Sequence, residues 1–484
     1  MNLDLGSKIK AYCDRDRLHI IPEHQLIINA DGNLNSCSRL EQLILSRLKQ
    51  INTISNQTDQ KLNIIVAESE AIAFLATFMA GVIEETNLFL CNPNWQQQEW
   101  QQVINLVKPD LLFAPPKVKA LIENLIPGKS TTVRLDNSDT EQQSWIAIPT
   151  GGSSGKIKFA LHTWSSLTAS AQGFQSYFNC STVNSFCTLP LYHVSGLMQF
   201  IRSFTTQGNF LVCPYRVLKT QKINSDRQEW FISLVPTQLK LLMELMPNWL
   251  AEFKTILLGG APASPELLAQ ARKHRLPLAP CYGMTETASQ VVTLKPEAFL
   301  AGNNSSGLVL PHAQITIQPE SKPDSTSKVG LIQISSTALC LGYYPPTLAQ
   351  QNRTAKNIFT TDDLGYFDDA GYLHIVGRNS QKIITGGENV FPGEVEAAIL
   401  ATKLVLDVCV VGISDRHWGE AVTAVYVPLE RDLSTKVISD RLQLSLAKYK
   451  QPKHWISVTS LERNDRGKVD YPKIKAIAAR SIEH

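Results

Sequence analysis

The sequence predicts an α/β protein with a large, multi-sheet N-terminal domain and a small α+β C-terminal domain. Three observations lead there. The chain has 484 residues, more than one hydrophobic core usually serves, so two or three compact units are expected. Short apolar runs of strand length alternate with helix-period patterns over most of that length, as in sheets whose strands are joined by helices. After Leu364 the texture shifts to short strands punctuated by turn signals, which marks a separate unit.

In chain order, residues 1–60 are weakly patterned and are expected to help build the large domain. Leu62-Asn63-Ile64-Ile65-Val66 is a buried-strand run, and Ala71 to Gly81 follows as a helix. Asp110-Leu111-Leu112-Phe113-Ala114 reads as the next strand. Trp145-Ile146-Ala147-Ile148 and Phe159-Ala160-Leu161-His162 read as two strands flanking a Gly/Ser-rich segment, which puts that segment at a hairpin tip. Pro236 to Leu245 has helical periodicity and Thr255-Ile256-Leu257-Leu258 reads as a strand, while Pro319 to Ser327 is polar and loop-like. Past Leu364, Asp369-Ala370-Gly371 is a turn before the strand Tyr372 to Val376. A helix at Gly393 to Leu400 and strands at Val405 to Ile413 and Ala421 to Leu429 then supply a second core. The boundary falls near Asn379 to Gln381, dividing the chain into 1–379 and 380–484.

Composition narrows the function. A hydrophobic fraction of 43% and a charged fraction of 18% are ordinary for a globular protein. The net charge of +3 comes without a basic stripe, so no nucleic-acid partner is expected. The first twenty residues lack an apolar segment behind a basic leader, and the longest apolar candidate, Ala71 to Ile83, is followed by Glu84-Glu85. Neither a secretory leader nor a transmembrane segment is expected, which places the protein in the cytoplasm. Nine cysteines are scattered from Cys13 to Cys409 without a C-x-x-C pair, a distribution that suggests buried thiols rather than a zinc or dithiol site.

The sharpest local feature is Thr150-Gly151-Gly152-Ser153-Ser154-Gly155-Lys156-Ile157-Lys158. Glycines let a backbone approach polyphosphate, N–H and hydroxyl groups donate to it, and lysines neutralise it. It is not a Walker A loop, which needs G-x-x-x-x-G-K-[ST] opening into a helix. Downstream come Leu258-Gly259-Gly260-Ala261-Pro262, Tyr282-Gly283-Met284-Thr285-Glu286-Thr287, Thr361-Asp362-Asp363, Gly377-Arg378, Gly386-Gly387-Glu388 and Arg463-Asn464-Asp465-Arg466-Gly467-Lys468. In this order and spacing the set resembles the acyl-adenylate-forming superfamily of acyl-CoA synthetases, adenylation domains and luciferases, over about residues 60 to 475. Two departures in the loop, Ile157 for Pro and Phe159 for Gly, leave the donors intact.

The resemblance implies ATP, Mg²⁺ and coenzyme A as cofactor and co-substrates. It implies that Thr150 to Lys158 hold the phosphates, that Gly259 to Pro262 and Tyr282 form the adenine slot, that Gly283 is among the cofactor-binding residues, and that Thr285 bonds the α-phosphate. Glu286 would bind Mg²⁺, a hard cation suited to oxygen ligands. Asp363 and Arg378 would take the ribose, although the extra carboxylate Asp362 leaves open which aspartate turns inward. Lys468 would meet the α-phosphate and the attacking carboxylate, where negative charge accumulates. The small domain would be mobile, rotating about Ser380 so that the Gly386-Gly387 loop replaces Lys468 and opens a pantetheine channel that a side chain would block.

His162-Thr163, Ala169 to Gly173, Leu189 to Gly196 and Ser233 to Leu239 resemble the branch of that superfamily that ligates coenzyme A to o-succinylbenzoate in menaquinone and phylloquinone synthesis. An arginine seven residues beyond Ser195, here Arg202, belongs to that pattern. A dicarboxylate needs a lasting cation for the carboxylate that is not activated, so Arg202 and Ser195 are candidate substrate residues. His193 would line or gate the acyl pocket. The alternatives are a ligase for another carboxylic acid, a stand-alone adenylation enzyme and a non-catalytic nucleotide-binding module. Oligomeric state is left open, a homo-oligomer included.

Overall fold

The computed structural model describes residues 2–14, 17–20, 36–125, 143–151, 157–218, 227–319, 328–345, 358–430, 432–443, 445–463 and 469–482. Two large sheets dominate it. One has six strands, in the order Gly342–Tyr344, Ile157–His162, Ile146–Gly151, Asn87–Leu90, Asn63–Val66 and Leu111–Phe113. The other has eight, running from Leu18–Ile20 through Phe210–Val212, Asn184–Cys187, Trp230–Leu234 and Thr255–Leu258 to Leu278–Met284, Ser289–Thr293 and Leu308–Val309. Its first six strands are parallel, and the last two return antiparallel.

Helices pack between and outside these sheets. Ala71–Ile83 is buried at every position from Ile72 to Gly81, as expected of a helix that is apolar all round and covered on all sides. Its Phe74 and Phe78 share a core with Ile64, Val66, Leu88 and Ile148 of the six-stranded sheet and with Cys187, Phe210 and Val212 of the eight-stranded one. The outer faces carry their own cores: Trp100, Val118 and Ile122 against Phe89 and Phe159, and Leu239, Leu242 and Leu267 against Ile232 and Ile256. The weakly patterned N-terminal region joins this body through the edge strand Leu18–Ile20 and the helix Ser36–Ser55, which buries Leu40, Ile44 and Ile51.

A third, four-stranded antiparallel sheet comprises Ala313–Pro319, Gly330–Ser336, Ile358–Phe367 and Leu373–Arg378. The last two strands lie before the expected boundary and share this sheet with Ala313–Pro319 and Gly330–Ser336, so the change of texture at Leu364 falls inside the sheet, within its strand Ile358–Phe367. Most of the polar stretch Pro319 to Ser327 lies outside the described residues. The fourth sheet is built from Ile383–Thr385, Glu388–Val390, Val405–Asp415, Gly419–Pro428 and His454–Ser457, with the helix Pro392–Ala401 burying Val395 and Ile399 against Val410 and Val422. Among the described residues no helix is long and apolar enough to cross a membrane.

Candidate active site

The strands flanking the phosphate loop pair antiparallel with Thr150 opposite Lys158, so the predicted hairpin is present. Gly152, Ser153, Ser154, Gly155 and Lys156 lie outside the described residues. The described shoulders converge on Glu286, which is 6% exposed. Its Oε1 accepts the Tyr343 hydroxyl at 2.8 Å and the Thr150 hydroxyl at 3.4 Å. Lys158 Nζ sits 3.7 Å from the centre of the Tyr343 ring, a cation–π contact. Burial, and then the Glu286 carboxylate, push the Tyr343 pKa up, keeping that phenol a donor. Tyr343 is beside the loop because its strand pairs with Ile157–His162, Tyr343 facing Ala160. No sequence signal linked it to Glu286, 57 positions away.

Among the described residues no three His, Cys, Asp or Glu side chains converge to hold a metal. A single carboxylate that leaves the other positions to phosphate oxygens and water is how Mg²⁺ is commonly held, and the buried Glu286, whose Oε1 accepts two hydroxyls, fits that use.

On the adenosine side, Gly259-Gly260-Ala261-Pro262 follows directly on the strand Thr255–Leu258, with Gly260 at φ +84°. Tyr282 is on the adjacent strand, and its hydroxyl donates to Asp363 Oδ2 at 2.9 Å. An added Cβ at Gly283 would lie 2.2 Å from the Ser289 carbonyl, so the hairpin leading into Thr285–Thr287 requires glycine there. Asp363 faces Arg378 across the ladder, Oδ1 to Nε 3.4 Å. Successive strand residues point to opposite faces, and the exposed Asp362 is turned instead to Ser380, accepting its backbone N–H at 3.0 Å and its hydroxyl. Asp363 is therefore the inward aspartate.

On the acyl side, His193 is the half-buried N-cap residue of the helix Val194–Thr205, its ring 4.6 Å from that of Tyr192. Ser195 is exposed in the first turn. Arg202, about two turns on, is only 3% exposed. Its Nη2 donates to Ser289 Oγ at 3.0 Å and Gln290 Oε1 at 2.7 Å, and the guanidinium lies 4.2 Å over the Phe174 ring. Burial draws its pKa down to about 10, so it stays charged at neutral pH. Among the described residues, Arg202 Nε, Gln290 Nε2 and both ring nitrogens of His312 are buried without a hydrogen-bond partner. His312 is packed so closely on Gly173 that an added Cβ there would lie 1.9 Å from Nδ1. The sequence pointed to Arg202 and Ser195 but not to Ser289, Gln290 or His312.

In the C-terminal sheet, Gly386 and Gly387 form an exposed two-residue hairpin between Ile383–Thr385 and Glu388–Val390, with φ of +58° and +84°. Paired positive φ values are what a tight hairpin of this length demands. In this arrangement an added Cβ at Gly387 meets nothing within 4 Å, while one at Gly386 lies 3.2 Å from Trp418. The glycines are here required by backbone conformation. Lys468 lies outside the described residues, and Arg463 and Val469 on either side pair antiparallel.

The AMP-binding enzyme family matches residues 69–344, and its C-terminal domain family matches residues 394–468. This chain belongs to the AMP-binding enzyme family. Its relatives include the 2-succinylbenzoate–CoA ligase of Enterococcus faecalis, 36% identical over 74% of this chain and 76% of that one. The 2-succinylbenzoate–CoA ligase of Bacillus licheniformis is 32% identical over 94% of this chain and 97% of its own length. Among solved structures, the o-succinylbenzoate CoA synthetase of Bacillus subtilis in complex with its acyl-adenylate intermediate aligns with a TM-score of 0.78 at 22% identity, covering 97% of both chains. The same enzyme with ATP and a magnesium ion gives 0.77 at 22% identity, over 97% of this chain and 99% of that one. At that identity the likeness is one of fold.

Proposed function

We propose that this chain is an AMP-forming 2-succinylbenzoate–CoA ligase. The succinyl carboxylate attacks the α-phosphorus of ATP, pyrophosphate leaves, and the thiol of coenzyme A then displaces AMP from the acyl carbon. The observation that carries the acid assignment is Arg202: a buried cation held by neutral partners, with Arg202 Nε, Gln290 Nε2 and the His312 ring nitrogens left unpaired among the described residues. A buried charge is costly unless compensated, and an incoming benzoate carboxylate would compensate this one. Relatives of this name at 32–36% identity support the same reading.

Thr150, the loop after it and Lys158 hold the triphosphate, Thr285 the α-phosphate, and Tyr282 and Gly259 to Pro262 the base. Asp363, with Arg378 beside it, accepts the ribose hydroxyls. Glu286 would hold Mg²⁺, which draws charge off the leaving pyrophosphate. Lys468 neutralises the two anions that meet in adenylation. The small domain, starting at residue 380, then turns about Ser380 and brings Gly386 and Gly387 to the acyl carbonyl for thioester formation. His193 and Ser195 flank the mouth of the acid site. The test is CoA-dependent AMP formation with o-succinylbenzoate beside benzoate and medium-chain fatty acids. Preference for a monocarboxylate would overturn the acid assignment and leave the reaction class.

A further inference from the structure

The turn that carries Thr285 and Glu286 is held in a conformation it would not adopt alone. Ala288 and Ser289, which close it, have φ of +51° and +101°, a region side-chain-bearing residues seldom enter without support from their surroundings. The support comes from three directions. Cys340 N–H donates to the Glu286 carbonyl at 2.9 Å, Ser170 Oγ donates to the Ala288 carbonyl at 2.8 Å, and His162 Nε2 lies 2.7 Å from the Thr285 carbonyl.

We propose that His162 is a positioning residue for adenylation: through its Nε2–H it fixes the Thr285 carbonyl, and with it the aim of the Thr285 hydroxyl and the Glu286 carboxylate. A carbonyl only accepts, so Nε2 carries the proton. Nδ1 is then the acceptor, facing Ser166 Oγ at 3.0 Å, a hydroxyl whose one proton is shared between Nδ1 and the Thr163 carbonyl, also 3.0 Å away. The ring is fully buried, and burial lowers its pKa to about 4, in keeping with a single neutral tautomer. His162 is also the last residue of the strand that descends from the phosphate loop. One ring therefore ties the loop hairpin to the turn facing the same phosphates. The inference rests on the reading of Thr285 and Glu286 as that phosphate turn.

His162→Gln and His162→Asn test it. The Gln amide nitrogen occupies roughly the place of Nε2 and keeps the donor to Thr285, whereas Asn reaches only the place of Nδ1. Losing a buried carbonyl's partner should lower ATP–pyrophosphate exchange about 10- to 100-fold in the Asn variant, with Gln within about fivefold of the parent. Amide hydrogen exchange at residues 284–290 should quicken with Asn and not with Gln. Thioester formation from supplied acyl-adenylate, which keeps the α-phosphate that Thr285 holds but needs neither the triphosphate nor an ion on Glu286, should fall several-fold less than exchange does in the Asn variant. Equal losses in the two variants, or parallel loss of both half-reactions, would overturn the proposal as a merely structural effect. Glu286→Gln serves as the control: exchange persisting in that variant would bring down the phosphate-turn reading itself, and this inference with it.

Discussion

Replacing Arg202 by leucine tests the acid assignment most directly, and the structure sets the size of the effect. The guanidinium is 3% exposed and, among the described residues, bonded to the neutral Ser289 and Gln290. In the free protein its charge is uncompensated by any anion those bonds supply, so removing it relieves desolvation. The fall from the ordinary 12.5 to about 10 corresponds to roughly 3 kcal/mol. The Leu variant should therefore fold, with a Tm equal to or above the parent's. With o-succinylbenzoate bound, the same charge becomes one half of a buried ion pair, and breaking such a pair costs about 3–5 kcal/mol. kcat/KM should drop by about two to three and a half orders of magnitude. A monocarboxylate such as 4-phenylbutyrate offers nothing to pair with, so its kcat/KM should hold or rise. Arg202→Lys should recover only part of the loss, because one ammonium cannot supply a planar fork. Steady-state kinetics on both acids, beside calorimetric Tm values, decide it. A loss with o-succinylbenzoate under about fivefold, roughly 1 kcal/mol, would refute the pairing.

Three further outcomes are expected. Lys468→Ala should abolish most adenylation yet spare thioester formation from supplied acyl-adenylate, measured as separate half-reactions, and equal losses would contradict a lysine used in one domain pose only. Gly387→Trp should leave the protein folded, since the space beside it is open, at a backbone cost of about 1–2 kcal/mol for a side chain at positive φ. It should block thioester formation while ATP–pyrophosphate exchange continues, and collapse of exchange would remove the channel assignment. Burial lifts the Glu396 carboxyl from 4.5 to about 7, against the Val410 N–H that its Oε1 accepts at 2.8 Å. The folded state thus keeps a proton that the unfolded state releases, so this contribution is complete below pH 4.5 and lost as pH rises to 7, by up to about 3 kcal/mol. Glu396→Gln should flatten the dependence and raise Tm at pH 8, as followed by thermal melts from pH 5 to 8; an unchanged slope would rule Glu396 out as its source.

Much of the large domain was legible because its strands are fully covered. A run such as Asn63–Val66 or Thr255–Leu258 is apolar at nearly every position when both faces are packed, and the helix Pro236–Leu245 begins at the proline that favours a first turn. The third sheet was harder to place. The strand Ala313–Pro319 alternates between half-buried and exposed residues and buries none fully, so its membership depends on the partner strand Gly330–Ser336 rather than on its own composition.

The sequence by itself determined the order of the motifs, the hairpin that presents the phosphate loop, the Gly-Gly turn and the family they belong to. All of these reside in short stretches where residue type dictates backbone conformation or donor supply. Tertiary structure alone decided which aspartate faces inward, that Arg202 is buried beside Ser289 and Gln290, and that His162 reaches the Thr285 carbonyl. Those contacts join residues 81, 87 and 123 positions apart, Tyr282 to Asp363, Arg202 to Ser289 and His162 to Thr285. Burial and direction at such distances follow from how sheets and helices pack, and no local pattern in the chain encodes them.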